Sequence, residues 1–448
     1  MQNLISPIDF LLAPIYLIIF SFIATRFKNK NLKAGPYYKY YLQGLWAKML
    51  GGLAVCLIYV YYYKGGDTQY YFIEAKTYVN VFLNGDFQLF WEILNFKTYP
   101  ISYLDLSRYE NCQMIFKDSA YYEHFTSALT APFCLLGFKS FFATTIILAY
   151  ISYFGIWRLY IVYVYYFPNL YRPLAWAILL VPSVFFWGSG LLKDTYTFSA
   201  LCWYIYAFFR MFIQKQYRFK YVLALLVAAY IMISIKPYIL FASLPGTILW
   251  LFFNRLNNIK NTVLRLLSFP FIIVIVFSLV ISAMALLGDY LGEYALNQVL
   301  NKAEKTQKDF AYNETYGTNK VDIGEFDASF SGIITKAPIA ISVGLFQPFI
   351  WKANNSVMAF AGLENLFILG LSLYVLFKVK LKHLVLSLFS HPLFIFSFLF
   401  ALFFAFSVGL TTANYGALVR LRIPGMPFYI ISLLFLLYQE NSKQSIKK

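Results

Sequence analysis

The sequence contains few charged residues and few residues that commonly bind transition metals. Charged residues make up 13% of its 448 positions, against about 25% in a soluble domain. Its three histidines are scattered and its four cysteines show no paired spacing, which argues against a zinc site. Cys112 and Cys134 could form a disulfide outside the membrane, and the sequence leaves that pairing open. Because 60% of the residues are hydrophobic, we predict an all-α protein, a polytopic transmembrane helical bundle.

Acidic residues are scarcer than basic ones, 20 against 37, and the net charge is +17. This excess does not indicate nucleic-acid binding, because Lys and Arg occur in short clusters between apolar runs, as the positive-inside rule requires. Run lengths and flanking charges predict about eleven spans, with the N-terminus outside and the C-terminus in the cytoplasm. The first run, 8–24, lacks a basic leader and a small-residue cleavage site, so we expect it to remain as a span.

Two long polar regions, 64–139 and 288–356, interrupt the apolar runs. Within a single transmembrane domain that covers 1–448, we assign both regions to the outer face. Nearly all of the acids then lie outside. They are a partly independent check on the topology, because acids contribute little to setting the orientation. We expect amphipathic or interfacial helices in the first of these regions.

One motif combines two glycines with an acid at the rim of the membrane. Gly65 and Gly66 follow the apolar run 53–63 and allow a tight turn of the backbone. Asp67 comes next, and Glu74 lies one or two helical turns beyond it. An acid at the membrane rim is a candidate for function. A solvated loop carboxylate after the end of a helix is the alternative, and the sequence alone leaves both open.

Four basic residues are predicted to lie on the same outer face. They are Lys193, Lys236, Arg420 and Arg422. Because guanidinium and ammonium groups bind phosphate oxygens, we expect a phosphate-binding cluster, although the arginines could instead anchor the chain to anionic lipid headgroups. Asp194 is expected to cap a helix or to support this cluster. Glu364 falls within a span, so we expect it to face a cavity and to pair with one of the two arginines.

The chain resembles the GT-C superfamily of polyprenyl-phosphate-sugar-dependent glycosyltransferases in its many spans, its external-loop carboxylate and its basic residues at outer helix ends. Short strings are also similar to O-antigen-polymerase-like membrane proteins of bacterial surface-polysaccharide clusters. Those strings are Gly65–Thr68, Phe186–Asp194, Phe346–Trp351 with Glu364, and Asn414–Gly416 with Arg420. By this resemblance Asp67 corresponds to the external-loop acid of the superfamily. Those loops often carry two close acids, whereas here the nearest second acid is Glu74.

The resemblance implies a multi-pass enzyme of the bacterial inner membrane. It would move a sugar from a polyprenyl-phosphate-linked donor to a glycan or lipid-linked acceptor on the outer, periplasmic face, among membrane lipids. Asp67 would act as the base or orient the acceptor, Glu74 would support it, and the basic cluster would hold the phosphates. We assign no metal ligands. The sequence leaves the binding of a divalent metal undecided, but Asp67 and Glu74 alone supply few ligands.

Three alternatives remain at this stage. A polysaccharide polymerase would use the same groups with a longer acceptor. A polysaccharide or lipid flippase would need charged residues inside the spans, whereas the charges of this sequence lie at the outer rim. A membrane acyltransferase would need a histidine beside an acid at the active face, and only His124 is predicted to lie on that side.

Overall fold

The computed structural model describes most of the chain in a few long stretches. These are 4–94, 121–257, 262–286, 288–291, 320–324, 329–380 and 390–446, with single positions between them. Cys112 lies outside the described residues, so its pairing with Cys134 stays a prediction. The described residues form helices, and their one β-bridge is isolated, between Lys320 and Asn414. They divide into two compact units.

The first unit comprises Met1–Ala207 and Val222–Lys236. Its helices are α1 (Pro7–Asn31), α2 (Tyr40–Leu57), α3 (Asp67–Leu83), α4 (Phe87–Leu94), α5 (Tyr121–Leu136), α6 (Phe141–Tyr166), α7 (Tyr171–Leu179), α8 (Pro182–Trp187), α9 (Lys193–Phe208) and α10 (Phe219–Ile235). A π-helical turn, Ile58–Tyr62, extends α2. The last residue of α9 and the first three residues of α10 belong to the second unit.

Helix α6 is the centre of the first unit, and most of its side chains are buried against α1, α2, α5 and α7. Its N-terminus is capped by Ser140, whose hydroxyl accepts a hydrogen bond from the Ala143 amide. Asp9 of α1 is 1% exposed. It accepts hydrogen bonds from the Ser140 hydroxyl at 2.6 Å and the Phe142 amide at 2.9 Å. This carboxylate therefore joins α1 to the start of α6, where the helix dipole favours negative charge.

The second unit comprises Phe208–Tyr221 and Pro237–Lys448. Its helices are α11 (Pro237–Asn257), α12 (Thr262–Leu286), α13 (Gly288–Leu291), α14 (Phe330–Phe346), α15 (Ser356–Lys378), α16 (Pro392–Thr411), α17 (Tyr415–Leu421) and α18 (Met426–Ile446). Two glycines bring α14 and α16 into backbone contact. A Cβ on Gly344 would overlap the carbonyl oxygen of Ala405, and one on Gly409 would overlap that of Ala340. Small residues permit this close approach of helices in membranes.

Five helical segments of the described chain are long and apolar enough to cross a membrane. They are Pro7–Ala34, Pro36–Tyr62, Phe141–Tyr166, Ser356–Lys378 and Pro392–Thr411. The pair Tyr415–Leu421 and Met426–Ser442, bent by 65°, could be a sixth. The chain is therefore a helical protein with several potential membrane spans, as a membrane protein requires. Several other apolar runs form shorter helices, and the count of eleven spans and the orientation stay predictions.

Candidate functional site

The predicted Gly-Gly-Asp motif forms a tight turn between the π-helical end of α2 and the start of α3. Gly65 and Gly66 have φ angles of 153° and 121°, which L side chains rarely adopt. The Gly65 amide donates to the carbonyl oxygen of Tyr59 at 3.1 Å, and a Cβ on Gly66 would lie 2.9 Å from the Tyr59 ring. Asp67 is then the first residue of α3. Its carboxylate lies where the helix dipole stabilises negative charge.

Lys193, the first residue of α9, forms an ion pair with Glu123 near the start of α5. The Nζ–Oε1 distance is 2.6 Å, and the side chains are 14% and 28% exposed. Tyr71 of α3 donates its hydroxyl hydrogen to the other carboxylate oxygen of Glu123, also at 2.6 Å. Burial lowers the pKa of Lys193, whereas Glu123 and, more weakly, Asp67 favour its charged form. The N-terminal turns of α3, α5 and α9 thus meet around one lysine.

A second and more deeply buried ion pair lies beside the first. Lys236 contacts Asp194 with an Nζ–Oδ1 distance of 2.5 Å, and the two side chains are 6% and 1% exposed. The ammonium groups of Lys193 and Lys236 repel each other, so the first unit brings together two of the four predicted cations. Each is balanced by a carboxylate. Because an ammonium has three N–H donors, Lys193 can hold Glu123 and still bind an incoming oxygen.

Glu74 lies in the core of the first unit. It is completely buried, and its Oε1 lies 3.1 Å from Nδ1 of His124 on α5. The Tyr78 hydroxyl is 3.5 Å from the same nitrogen. Burial raises the pKa of Tyr78 well above its usual value, and the adjacent Glu74 carboxylate raises that pKa further. The pair of Glu74 with His124 is therefore an acid–histidine arrangement with restricted access to water.

The other three predicted residues lie in the second unit. Arg422 is 1% exposed, and its guanidinium donates to the carbonyl oxygens of Leu345 at 3.2 Å and Gln347 at 2.9 Å, as well as to the side-chain oxygen of Asn365. Glu364 interacts electrostatically with this arginine. Arg420 is half-buried. The described contacts of Arg422 thus hold the segment after α14 in place, and the phosphate-binding role of both arginines stays a prediction.

The described residues contain no group of three or more His, Cys, Asp or Glu side chains that could hold a metal ion. One of the two acids considered as metal ligands, Glu74, is buried beside His124. Comparison of the chain with family models, curated proteins and solved structures gives no match. The site must therefore be interpreted from its own residues.

Sequence reasoning missed the partners of these residues. It predicts Glu123 as one of the external acids and His124 as the only histidine on the outer side, and it gives neither of them a partner. They are consecutive near the start of α5, where Glu123 contacts both α9 and α3 and His124 contacts α3. The available signal was an acid and a histidine side by side at a helix N-terminus, opposite Glu74 and Tyr78, which lie one turn apart on α3.

Proposed function

We propose that this chain is a multi-pass bacterial inner-membrane glycosyltransferase of the GT-C type. It transfers a sugar from a polyprenyl-phosphate-linked donor to an acceptor at the periplasmic face, in cell-envelope or surface-polysaccharide synthesis. One observation supports the proposal: the first unit holds Asp67 at the start of α3, within electrostatic range of Lys193, whose ion pair lies beside that of Lys236. A carboxylate next to cations that can bind phosphate is the arrangement that glycosyl transfer from a phosphate ester needs.

The proposed reaction divides the work between these groups. The acceptor hydroxyl oxygen attacks the anomeric carbon of the donor sugar, and the bond from that carbon to the phosphate oxygen breaks. Asp67 takes the hydroxyl proton, and the polyprenyl phosphate leaves with the bonding electrons. Lys193 stabilises the charge that develops on the leaving phosphate. A well-placed base contributes about 10²–10⁴-fold to such a rate.

Glu123 has a supporting part in this scheme. It holds Lys193 at 2.6 Å, while Tyr71 fixes its other oxygen. The ammonium is therefore oriented before the donor arrives, and little reorganisation is needed during the reaction. A polysaccharide polymerase would use the same residues on a longer acceptor, and the chain length of the product distinguishes the two.

The test is a pair of substitutions with matched controls. In a strain that lacks its own copy of the gene, D67N and K193M should each reduce surface glycan at least about 100-fold at normal membrane insertion. D86N is the control for the acid, because Asp86 caps α4 through the Leu89 amide and Asn caps equally well. K76M replaces an exposed lysine of α3. Wild-type glycan in both D67N and K193M would disprove the assignment.

The pair of His124 with Glu74 favours one second candidate, a membrane acyltransferase. A histidine oriented by a buried acid can take a proton from an acceptor hydroxyl. H124Q then removes acyl esters from the surface glycan and leaves its sugar chain length unchanged. If H124Q leaves the ester content unchanged, the acyltransferase is excluded. If D67N alone abolishes the sugar chain, the glycosyltransferase is supported.

A further inference from the structure

Lys48 is a buried lysine inside a potential membrane span. It lies on α2 within the segment Pro36–Tyr62, and it is 2% exposed. Its ammonium donates a hydrogen bond to the carbonyl oxygen of Gly188, which ends the short helix α8. A cation at the C-terminus of a helix satisfies a carbonyl that has no partner within that helix. Lys48 therefore ties α2 to the loop that precedes α9.

The same face of α2 lies against the backbone of α8 and of the loop that follows it. Gly51 and Gly52 lie one turn beyond Lys48, on the same side of the helix. A Cβ on Gly51 would overlap the carbonyl oxygen of Phe185, and a Cβ on Gly52 would lie 2.9 Å from that of Ser189. Neither position has space for a side chain, so both α8 and the loop after it pack directly against α2.

The contact continues from the loop to the lysines of the site. A Cβ on Gly190 would lie 2.6 Å from Val55, one further turn along α2. The carbonyl oxygen of Gly190 accepts a hydrogen bond from the Thr195 hydroxyl at 2.6 Å. Thr195 lies in the first turn of α9, directly after Lys193 and Asp194. Few residues therefore separate the Lys48 contact from the two ion pairs.

The far end of the same helix face holds the other half of the site. Tyr59 lies eleven residues after Lys48, which is about three helical turns. Its carbonyl oxygen accepts hydrogen bonds from the Gly65 amide at 3.1 Å and the Gln69 side chain at 2.9 Å. These two contacts lie on either side of Asp67. One face of α2 and its π-helical extension thus contacts both the turn before Asp67 and the loop before Lys193.

We propose that this face of α2 sets the separation between Asp67 and Lys193, and that Lys48 is a positioning residue for the site. The expected effect on activity rests on the proposed function, whereas the expected effect on the separation between Asp67 and Lys193 does not. Lys48 touches only protein groups in its described contact, and its hydrogen bond fixes the loop that delivers Lys193. A neutral donor at this position should therefore retain the effect, and a side chain without a donor should lose it.

The geometric test measures cross-linking between the two halves of the site. In membranes, a D67C/K193C variant that also carries C112S is treated with a short bifunctional methanethiosulfonate reagent. The cysteines at 56, 134 and 202 are buried and should not react. K48M should lower the cross-linking rate severalfold, K48Q should largely preserve it, and the surface variant K76M should leave it unchanged. An unchanged rate in K48M would overturn the proposal.

A more conservative variant tests the proposal if K48M fails to insert into the membrane. T195V has nearly the same shape as the native residue and removes only the hydroxyl that bonds to Gly190. It should also lower the cross-linking rate. If K48M is absent from the membrane and T195V cross-links at the unmodified rate, the proposal is wrong.

Activity separates this inference from the proposed function. On the otherwise native chain, K48M should reduce glycan synthesis about 10–100-fold, because a displacement of about 1 Å can cost on the order of 100-fold. K48Q should restore most of it. Loss of activity in K193M together with full activity in K48M refutes the positioning role alone. Full activity in D67N and K193M refutes the proposed function, while the cross-linking result still decides the geometry.

Discussion

The buried ion pair between Lys236 and Asp194 should contribute far more to stability than an exposed pair of similar length. The side chains are 6% and 1% exposed, so removal of one partner leaves a charge with little access to water. Breaking such a pair costs about 3–5 kcal/mol. In K236M the remaining carboxylate of Asp194 stays in the first turn of α9, where the helix dipole stabilises its negative charge by up to about 1 kcal/mol. We therefore expect K236M to lower the free energy of unfolding by about 2–4 kcal/mol.

A double-mutant cycle measures this coupling. The double variant D194N/K236M removes both charges and should be more stable than K236M, with a coupling energy of at least about 2 kcal/mol. Unfolding is followed by tryptophan fluorescence in mixed micelles with increasing sodium dodecyl sulfate. The matched control is the pair of Lys308 with Glu304, at 2.6 Å but 51% and 24% exposed. It should couple by about 0.5 kcal/mol or less. Equal coupling energies in the two pairs would refute the burial argument.

The remaining predictions use the same unfolding measurement. E74Q removes the carboxylate opposite His124 and should destabilise the chain by about 1–3 kcal/mol; a stability equal to wild type would refute the contribution of this pair. R422K should cost about 2–3 kcal/mol, because an ammonium cannot reach all the oxygens that the guanidinium bonds, and an unchanged stability would refute its structural role. G409A should cost about 1–3 kcal/mol, because its methyl group overlaps a backbone oxygen of α14. G370A, where the space is open, should be neutral or raise the stability by up to about 1 kcal/mol, because Ala forms helices better than Gly.

The sequence predicted the helical class and one local feature of the site in detail. Apolar runs in lipid can only be helices or barrel strands, so their length alone implies a helical bundle. Two glycines before an acid predicted the end of one helix and the position of Asp67, because the turn depends on local backbone freedom. The number of spans could not be settled in this way. Apolar runs such as 219–235 form helices of 17 residues, close to the lower limit for crossing a membrane.

The sequence could not predict which residues the charged side chains contact. Lys236 lies 42 residues from Asp194 along the chain, and no local pattern indicates which acid a lysine will meet across a bundle. Arg422 shows the same limit. Its position at a helix end suggested an outward guanidinium, but the structure buries it against backbone carbonyl oxygens. Residue type indicates which interactions a side chain can make, whereas tertiary packing decides which partner it meets.

The adjacent positions of Glu123 and His124 restrict how the first unit can move. Successive residues of an α-helix point about 100° apart, and here Glu123 contacts α9 and α3 while His124 contacts α3. A twist of α5 about its own axis would break both contacts at once. We therefore expect α3, α5 and α9 to behave as a rigid body.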